Sequence, residues 1–433
     1  MNKGASQKLH KIELNTKNPR EAAFLALLIS IREESFLDDT LERWRENKTP
    51  SSVDFDLAKE IAYGSARMLN ALDYVASQLA NTKKLNLKLR ERVLMRTAIY
   101  QYYFMDRVPL YAITNESIDI AKKYCHETFV KFLNAVLRRL SEDRPELPKG
   151  ETVPEISIRY SYPVFYVQEL IQNYGLEKAE TILEAGNKPV PTMFRIRPQA
   201  KEEIRNKEGI ELLAGTLSPI AVIRDPSLVP TIAQSPDYYI QNVAPAVLIH
   251  TLAKNAKTPR RILDLCASPG GKLIASHDQF PDAELFANDV SPEKLKPLSE
   301  NCAKYGISAT LSSSRGQDYS SDDTFDLVIL DAPCSNSGVL NKRPEARWRI
   351  SPKNLEHLEE LQMQLLRNVV NLIPEDGEIW YITCSVLKRE NTRLVDKACE
   401  TLNLQVRAKE TILPNLDGWD GGFACALQKV GQT

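Results

Sequence analysis

Two cysteines in this 433-residue chain stand out for what surrounds them. Cys334 follows Asp331-Ala332-Pro333, Cys384 lies between Thr383 and Ser385, and each thiol is followed directly by a serine. Both close apolar runs that read as buried strands, Phe325 to Pro333 and Glu378 to Ser385, so both fall at the mouth of one sheet. A single cysteine at a strand end is most often a small buried hydrophobe. Two of them at one crevice point to chemistry. A pyrimidine is a poor nucleophile at carbon 5, but a thiolate adding to carbon 6 makes an enamine whose carbon 5 can attack a methylsulfonium. A free thiol has a pKa of about 8.5 and is only a few per cent ionised at neutral pH, so a neighbouring cation must help. Lys272 is the candidate. Asp331 can hold a cytosine edge through its ring nitrogen and amino group, and such a base must first leave its stack.

A second constellation supplies the methyl donor. In RILDLCASPGGK (Arg261 to Lys272) an apolar run breaks into Pro269, Gly270 and Gly271 and then into a helix-compatible segment. A strand, tight turn and helix in that order let backbone approach a ligand, and the free amides of the helix favour an anionic group such as a carboxylate. Asp289 ends the next strand, about twenty residues on, where a carboxylate normally takes ribose hydroxyls. The turn is neither GxGxxG nor a Walker lysine-serine, which disfavours nicotinamide and ATP and leaves S-adenosylmethionine as the better cofactor. Asp318, in the RGQD segment after the third strand, is placed near the adenine.

These residues need a sheet to hold them. Arg261 to Leu265, Glu284 to Asn288, Ala309 to Ser312, Phe325 to Pro333 and Glu378 to Ser385 read as strands. Ala244 to Ala253, Ser291 to Lys304 and Asn354 to Leu372 read as helices. The alternation predicts a doubly wound, mostly parallel sheet, with Phe423 to Gln428 running antiparallel at its edge. Ahead of it, Pro163 to Tyr174, Leu176 to Ala185 and Lys201 to Ile210 read as helices, and PTMFRIRP (Pro191 to Pro198) and Ile220 to Ile223 as strands, a small α/β subdomain. Arg195 and Arg197 share one strand face, which suits a nucleic-acid backbone or a salt-bridged edge strand. From Pro19 to about Leu140 the period is helical, with Ala22, Leu25, Leu28 and Ile29 on one stripe and Leu57, Ile61, Met68, Leu72, Val75 and Leu79 on another. A linker with Pro145, Pro148, Gly150 and Pro154 closes this all-α bundle.

Three domains are therefore expected: 1–145, helical; 155–235, small and α/β; and 236–433, the S-adenosylmethionine-dependent methyltransferase, with RNA binding by the first two implied by the resemblance given below. Net charge is −1, but residues 1–150 carry 25 basic against 20 acidic residues, so an anionic partner could dock there, as could a plain solvated helical face account for it. Lys83, Lys84, Lys88, Arg90, Arg92 and Arg96 are the densest basic cluster and could line phosphates, or be ordinary surface residues. No apolar run reaches the roughly 18 residues of a membrane helix and the start lacks a signal peptide's apolar core, so a cytoplasmic location is expected. Seven cysteines without a CxxC pair, and five scattered histidines, argue against a disulfide framework and a metal site.

Taken together these stretches resemble a known family. RVPLYAITNESIDIAKKY (Arg107 to Tyr124) and FVKFLNAVLRRL (Phe129 to Leu140) resemble the NusB-type helical domain, which contacts structured RNA. DLCASPGGK, NDVS, DAPCSNSG, RWR and ITCS, in that order, look like the motifs of RNA cytosine-5 methyltransferases, and the whole chain after residue 19 resembles the bacterial Sun/Fmu (RsmB) family, which methylates a cytosine of small-subunit ribosomal RNA. The resemblance implies a multidomain protein: a NusB-like bundle, a small α/β subdomain and a Rossmann-like α/β methyltransferase. It implies Cys384 as nucleophile and Cys334 as the thiol that assists release of methylated RNA, with Asp331 and Lys272 in support. It also implies S-adenosylmethionine contacts at Cys266, Ala267, Ser268, Pro269, Gly270, Gly271, Lys272, Asp289, Asp318 and Asp331, with ribosomal RNA as partner, no metal and a monomeric state. Ser268 replaces the usual alanine, Asn336 a glycine, Arg343 a histidine or asparagine, and DGWDGGFACAL departs from DGFFxAxL, with Ala424 where a second aromatic is common. A transfer-RNA methyltransferase and a non-enzymatic RNA-binding assembly factor are the alternatives. A protein amide methyltransferase is disfavoured, because Asp331-Ala332-Pro333-Cys334 stands where such enzymes carry an NPPY-type element.

Overall fold

The structure is a computed structural model and describes residues 13–106, 108–200, 204, 207–213 and 219–431. The chain packs as two compact units, one running to Gln168 and including Arg343–Trp348, the other comprising Glu169–Lys342 and the chain from Arg349 onward.

The first unit is helical, with no strand among its described residues: α1 (Pro19–Glu33), α2 (Leu37–Lys48), α3 (Ser52–Arg67), α4 (Leu69–Leu79), α5 (Leu89–Phe104), α6 (Leu110–Tyr124), α7 (Glu127–Glu142) and α8 (Val153–Tyr160). Asn18 caps α1, its side chain accepting from the Arg20 and Glu21 amides, and Pro19 occupies the first turn, where no amide hydrogen is needed. Because Ala22 through Ser30 are all buried, α1 is apolar on every side and forms the centre of the bundle. Phe24, Trp44, Ile61, Leu94, Ile99 and Leu133 share its core.

Two sequence expectations change here. The proline-rich stretch holds more than a linker: α8 starts within it, with Glu155 closing a capping box on Thr152 and Pro154 in the first turn. Arg96 leaves the basic cluster, because its buried guanidinium grips Asp73 with two 2.8 Å bonds, while Lys83, Lys84, Lys88 and Arg90 stay exposed. The RWR segment is explained by packing within this unit. Arg347 is wholly buried, stacks 4.0 Å over the Tyr162 ring and donates to the Arg67 and Ser161 carbonyls, and Trp348 Nε1 donates to the Ala66 carbonyl.

The boundary between the units falls inside α9 (Val164–Tyr174), which α10 (Leu176–Ala185) follows. The second unit then builds an antiparallel sheet in the order β2-β3-β1-β4 from β1 (Met193–Ile196), β2 (Ile210–Leu212), β3 (Ile220–Ile223) and β4 (Tyr238–Ile240), with α11 (Val229–Gln234) before β4. The helix expected over 201–210 falls largely outside the described residues, and Ile210 itself opens β2. β1 is an inner strand buried along its whole length rather than an alternating edge. Arg195 and Arg197 accordingly do not face a nucleic acid. Both converge on Asp278, the Asp278 side chain is only 3% exposed, and Arg197 also donates to the Tyr305 carbonyl.

After α12 (Val243–Ala253) come β5 (Arg261–Asp264), α13 (Gly271–Gln279), β6 (Glu284–Asp289), α14 (Pro292–Tyr305), β7 (Ala309–Ser313), β8 (Leu327–Asp331), α15 (Pro352–Leu372), β9 (Glu378–Thr383), α16 (Thr392–Leu402), β10 (Leu404–Ile412) and β11 (Gly422–Lys429). The sheet order is β10-β11-β9-β8-β5-β6-β7, parallel from β9 to β7. β11 pairs antiparallel with β9 but lies inside the sheet; the edge belongs to β10, a strand the sequence reading did not anticipate. Ile262, Ile329 and Trp380 pack on one face, and Leu263, Val328 and Tyr381 on the other, which is why these strands read as unbroken apolar runs. The chain reverses direction of growth between β5 and β8, the switch point at which sheets of this kind open a crevice at the strands' carboxyl ends.

Replacing Asp278 by alanine strands two buried guanidinium groups, so unfolding in denaturant should show a loss of roughly 3–5 kcal/mol. Lys83→Ala should change stability by less than about 0.5 kcal/mol. Equal effects of the two substitutions would contradict the buried ion cluster.

Candidate active site

β8 and β9 pair in parallel with Asp331 opposite Ile382, so both strands end at one level. The chain leaves them as Ala332-Pro333-Cys334 and Cys384-Ser385, and the Ala332 amide donates to the Ile382 carbonyl. This brings Cys334 Sγ within 3.1 Å of Cys384 Sγ. The loop after Cys334 is fastened by the Gly338 amide, 2.8 Å from the Cys384 carbonyl. Asn336 turns that loop at φ 57°, in the left-handed region that glycine favours and asparagine tolerates best among other residues. Its departure from glycine therefore keeps the turn and adds an amide: Nδ2 donates to the Cys334 carbonyl, and Oδ1 accepts from the Cys384 thiol at 3.2 Å.

Beside the sulfurs, Lys272 Nζ lies 2.5 Å from Asp331 Oδ2. Burial alone would push the Lys272 ammonium down, but the Asp331 carboxylate outweighs it and holds the group above its ordinary value. The Cys334 thiol is pushed well above its ordinary value, first by its hydrogen bond with Cys384 and then by burial. Cys334 is thus held as a thiol that can donate to its neighbour.

Cys266, Ser268, Asp289, Asp331, Cys334 and Cys384 line one cleft of about 520 Å³. Asp289 is positioned by its surroundings, with Oδ2 accepting from the Ser268 amide at 2.9 Å and Oδ1 from its neighbour Val290 at 2.7 Å. Ala267, Pro269, Gly270 and Gly271 form the adjoining turn and are not among the lining residues, while Lys272 is joined to the cleft through Asp331. Gly270 is required by the fold itself: its φ is 102°, and a β-carbon there would lie 2.8 Å from Leu298 Cδ1. Asp318 stands apart. The 3-10 turn Gly316–Asp318 sends its carboxylate outward, 62% exposed and 3.4 Å from Arg315 Nε, whereas Arg315, Gly316 and Gln317 line the cleft. Sequence reading also missed Lys294 beside Asp289, and Leu361 and Leu365, which α15 brings to the cleft wall. Their one signal is the i, i+4 spacing of the two leucines, which is equally a core pattern.

Comparison with known proteins converges on one lineage. Residues 251–428 match the family described as 16S rRNA methyltransferase RsmB/F, and residues 17–142 the NusB family. The chain thus joins a methyltransferase domain of the RsmB/F family to a NusB-family domain ahead of it. "Probable ribosomal RNA small subunit methyltransferase B" of Bacillus subtilis (strain 168) is 27% identical, covering 95% of this chain and 99% of its own length. "Ribosomal RNA small subunit methyltransferase B" of Vibrio cholerae is also 27% identical, over 95% and 98%. Among solved structures, PH0851 has a TM-score of 0.76 at 20% identity, covering 97% of this chain and all of that one. NSun6 from Pyrococcus horikoshii, solved with SFG, scores 0.55 at 16% identity over 63% of this chain and all of that one. These two show the fold.

One further carboxylate of the RsmB/F domain lies behind the cleft. Asp264 is fully buried, and no well-formed hydrogen bond from the described residues reaches its oxygens, only a weak approach from the Cys266 amide. Burial, with Asp331 adding to it and Lys272 opposing, pushes its carboxyl up to about 8. A raised carboxyl keeps in the folded state a proton that the unfolded chain has given up. Its contribution to stability is therefore complete below about pH 4 and is lost as pH rises through about 8. Thermal unfolding of the unliganded protein should show wild type weakening over this window by a few kcal/mol relative to Asp264→Asn, whose own profile lacks that slope. Parallel profiles would contradict a protonated Asp264.

Proposed function

We propose that the chain transfers a methyl group from S-adenosylmethionine to carbon 5 of a cytosine in 16S ribosomal RNA, through a covalent bond between Cys384 and carbon 6. The observation that carries this is the 3.1 Å sulfur contact at the mouth of the cleft that Asp289, Ser268 and Asp331 line. An amide or an adenine nitrogen needs no thiol to become nucleophilic; carbon 5 of a pyrimidine does.

The cleft suits the donor. Its volume is that of a small-molecule site, and Asp289 is held by two backbone amides with lone pairs left for ribose hydroxyls. S-adenosylmethionine bound there would supply a methyl group on a sulfonium. Cys334 stays protonated and can donate toward Cys384, while the Lys272 ammonium adds positive charge nearby, and the addition to carbon 6 is assigned to the Cys384 sulfur. Asp331 can accept from the cytosine amino group and so hold the edge of the ring beside the two sulfurs. After transfer, the carbon 5 proton passes to water in the cleft, its bonding pair re-forms the double bond between carbons 5 and 6, and the bond to Cys384 breaks with its pair returning to sulfur. Cys334 is placed to assist that elimination.

The names of the full-length relatives favour ribosomal RNA over transfer RNA. We assign the helical segment 1–145 and the α/β segment 155–235 to RNA contact and 236–433 to catalysis, with Lys83, Lys84, Lys88 and Arg90 as the exposed cations best suited to phosphates.

With labelled cofactor and 16S RNA, Cys384→Ala should lose methyl transfer by about 10³-fold or more. Cys334→Ala should instead accumulate a protein–RNA adduct that survives denaturation. Free RNA and normal turnover from Cys334→Ala would remove its role, and substantial activity in Cys384→Ala would remove the mechanism.

A further inference from the structure

Five residues beyond Ser385, and outside every motif that carried the functional reading, the turn between β9 and α16 buries Glu390 completely. Its carboxylate receives four hydrogen bonds. Oε1 accepts from the Ser335 amide at 2.8 Å and from Gln362 Nε2 at 3.2 Å, and Oε2 accepts from Ser335 Oγ at 2.5 Å and Ser385 Oγ at 2.6 Å. Ser335 and Ser385 are the residues directly after the two cysteines. One carboxylate therefore holds the turn that carries Cys334 and the turn that carries Cys384. Neighbours reinforce the joint: Gln362 also donates to the Pro333 carbonyl at 2.8 Å, Asn391 Oδ1 accepts from Thr383 Oγ1 at 2.6 Å, and Asn391 Nδ2 donates to the Ser385 carbonyl at 2.8 Å. Each anchor lies one residue from a thiol.

We propose that Glu390 is a positioning residue that fixes the separation of the Cys334 and Cys384 thiols by clamping Ser335 and Ser385 to one point. It touches neither substrate nor cofactor and acts through the two serines. The idea rests on the functional reading of the two cysteines given above. Its physical basis is that a buried carboxylate has only acceptor sites, so four donors can converge on it without competing. A glutamine of the same volume has one acceptor oxygen, and its amide hydrogens face donors. Burial of that kind is costly unless every site is satisfied, so the turns must shift when the acceptor is lost.

Two readouts on the full chain separate positioning from mere folding. The first is kinetic. Glu390→Gln should slow single-turnover methyl transfer about tenfold to 100-fold, the effect of moving a reacting group by a fraction of an ångström to an ångström, with KM for S-adenosylmethionine within about twofold. Ser335→Ala should slow wild type but add little in the Glu390→Gln background, since both remove the same strut. The second readout needs no RNA. Diamide takes two electrons and two protons from a pair of adjacent thiols, leaving a disulfide and the reduced hydrazine. Peptide mass spectrometry should find the Cys334–Cys384 disulfide forming rapidly in wild type and about tenfold more slowly in Glu390→Gln. If Glu390→Gln does not fold, Ser335→Ala and Ser385→Ala cut the clamp from its other end and should slow the cross-link likewise. Unchanged cross-linking, or rates that fall only in proportion to the unfolded fraction, would overturn the role of Glu390. A wild-type protein that methylates no cytosine would sink the functional reading instead, and the cross-linking comparison would still decide the clamp.

Discussion

The parallel pairing of β8 with β9 is the constraint on which the site depends. With Asp331 held opposite Ile382, the two strands must end together, and the turns that follow them must share one rim. The thiols of Cys334 and Cys384 meet there because the chain has nowhere else to put them. The neighbouring strand β5 delivers Lys272 from the start of α13 to the same rim, where it pairs with Asp331. A cation, an acid and two sulfurs drawn from positions 272 to 384 are thus assembled by paired strands and by the turns fastened to their ends, which suits a reaction that tolerates little misplacement.

Within the second unit several charged groups lie out of water, and three solutions are visible. Arg195 and Arg197 share Asp278, so opposite charges compensate. Glu390 is compensated by donors instead, with two hydroxyls, an amide and a glutamine side chain. Asp264 has neither, and its carboxyl is pushed toward the neutral form. Direct pairing, donor saturation and protonation thus all occur in one unit, and at Glu390 the donors oppose a burial that still pushes its carboxyl upward.

What the sequence disclosed follows from which interactions are local. β5, β8 and β9 were legible because a strand buried on both faces writes itself as a continuous apolar run. β10 was not, because an edge strand carrying Arg407, Lys409 and Glu410 resembles a loop, and without it β11 was assigned to the edge. Arg96 read as a surface cation, and for Arg195 and Arg197 a salt bridge was legible only as one of two alternatives, because their partners lie 23 to 83 residues away in sequence. Asp318 lies in a segment that does reach the cleft, but the 3-10 turn brings Gly316 and Gln317 to its wall and leaves the Asp318 carboxylate exposed. The cysteines and the glycine turn were legible as motifs. Glu390 was not, since nothing in a lone acid after a strand announces four donors.

The central claim is that Cys384 bonds to carbon 6 of a cytosine while the methyl donor sits in the adjoining cleft. Small-subunit ribosomal RNA made with 5-fluorocytidine tests it in the unaltered protein, because fluorine on carbon 5 blocks the elimination and leaves the adduct in place. Digestion and mass spectrometry of the denatured complex should find the nucleotide, carrying a new methyl group, on the peptide containing Cys384, and only when S-adenosylmethionine is present. A nucleotide on Cys334 instead, or methylated RNA with no bond to either thiol, would contradict the account.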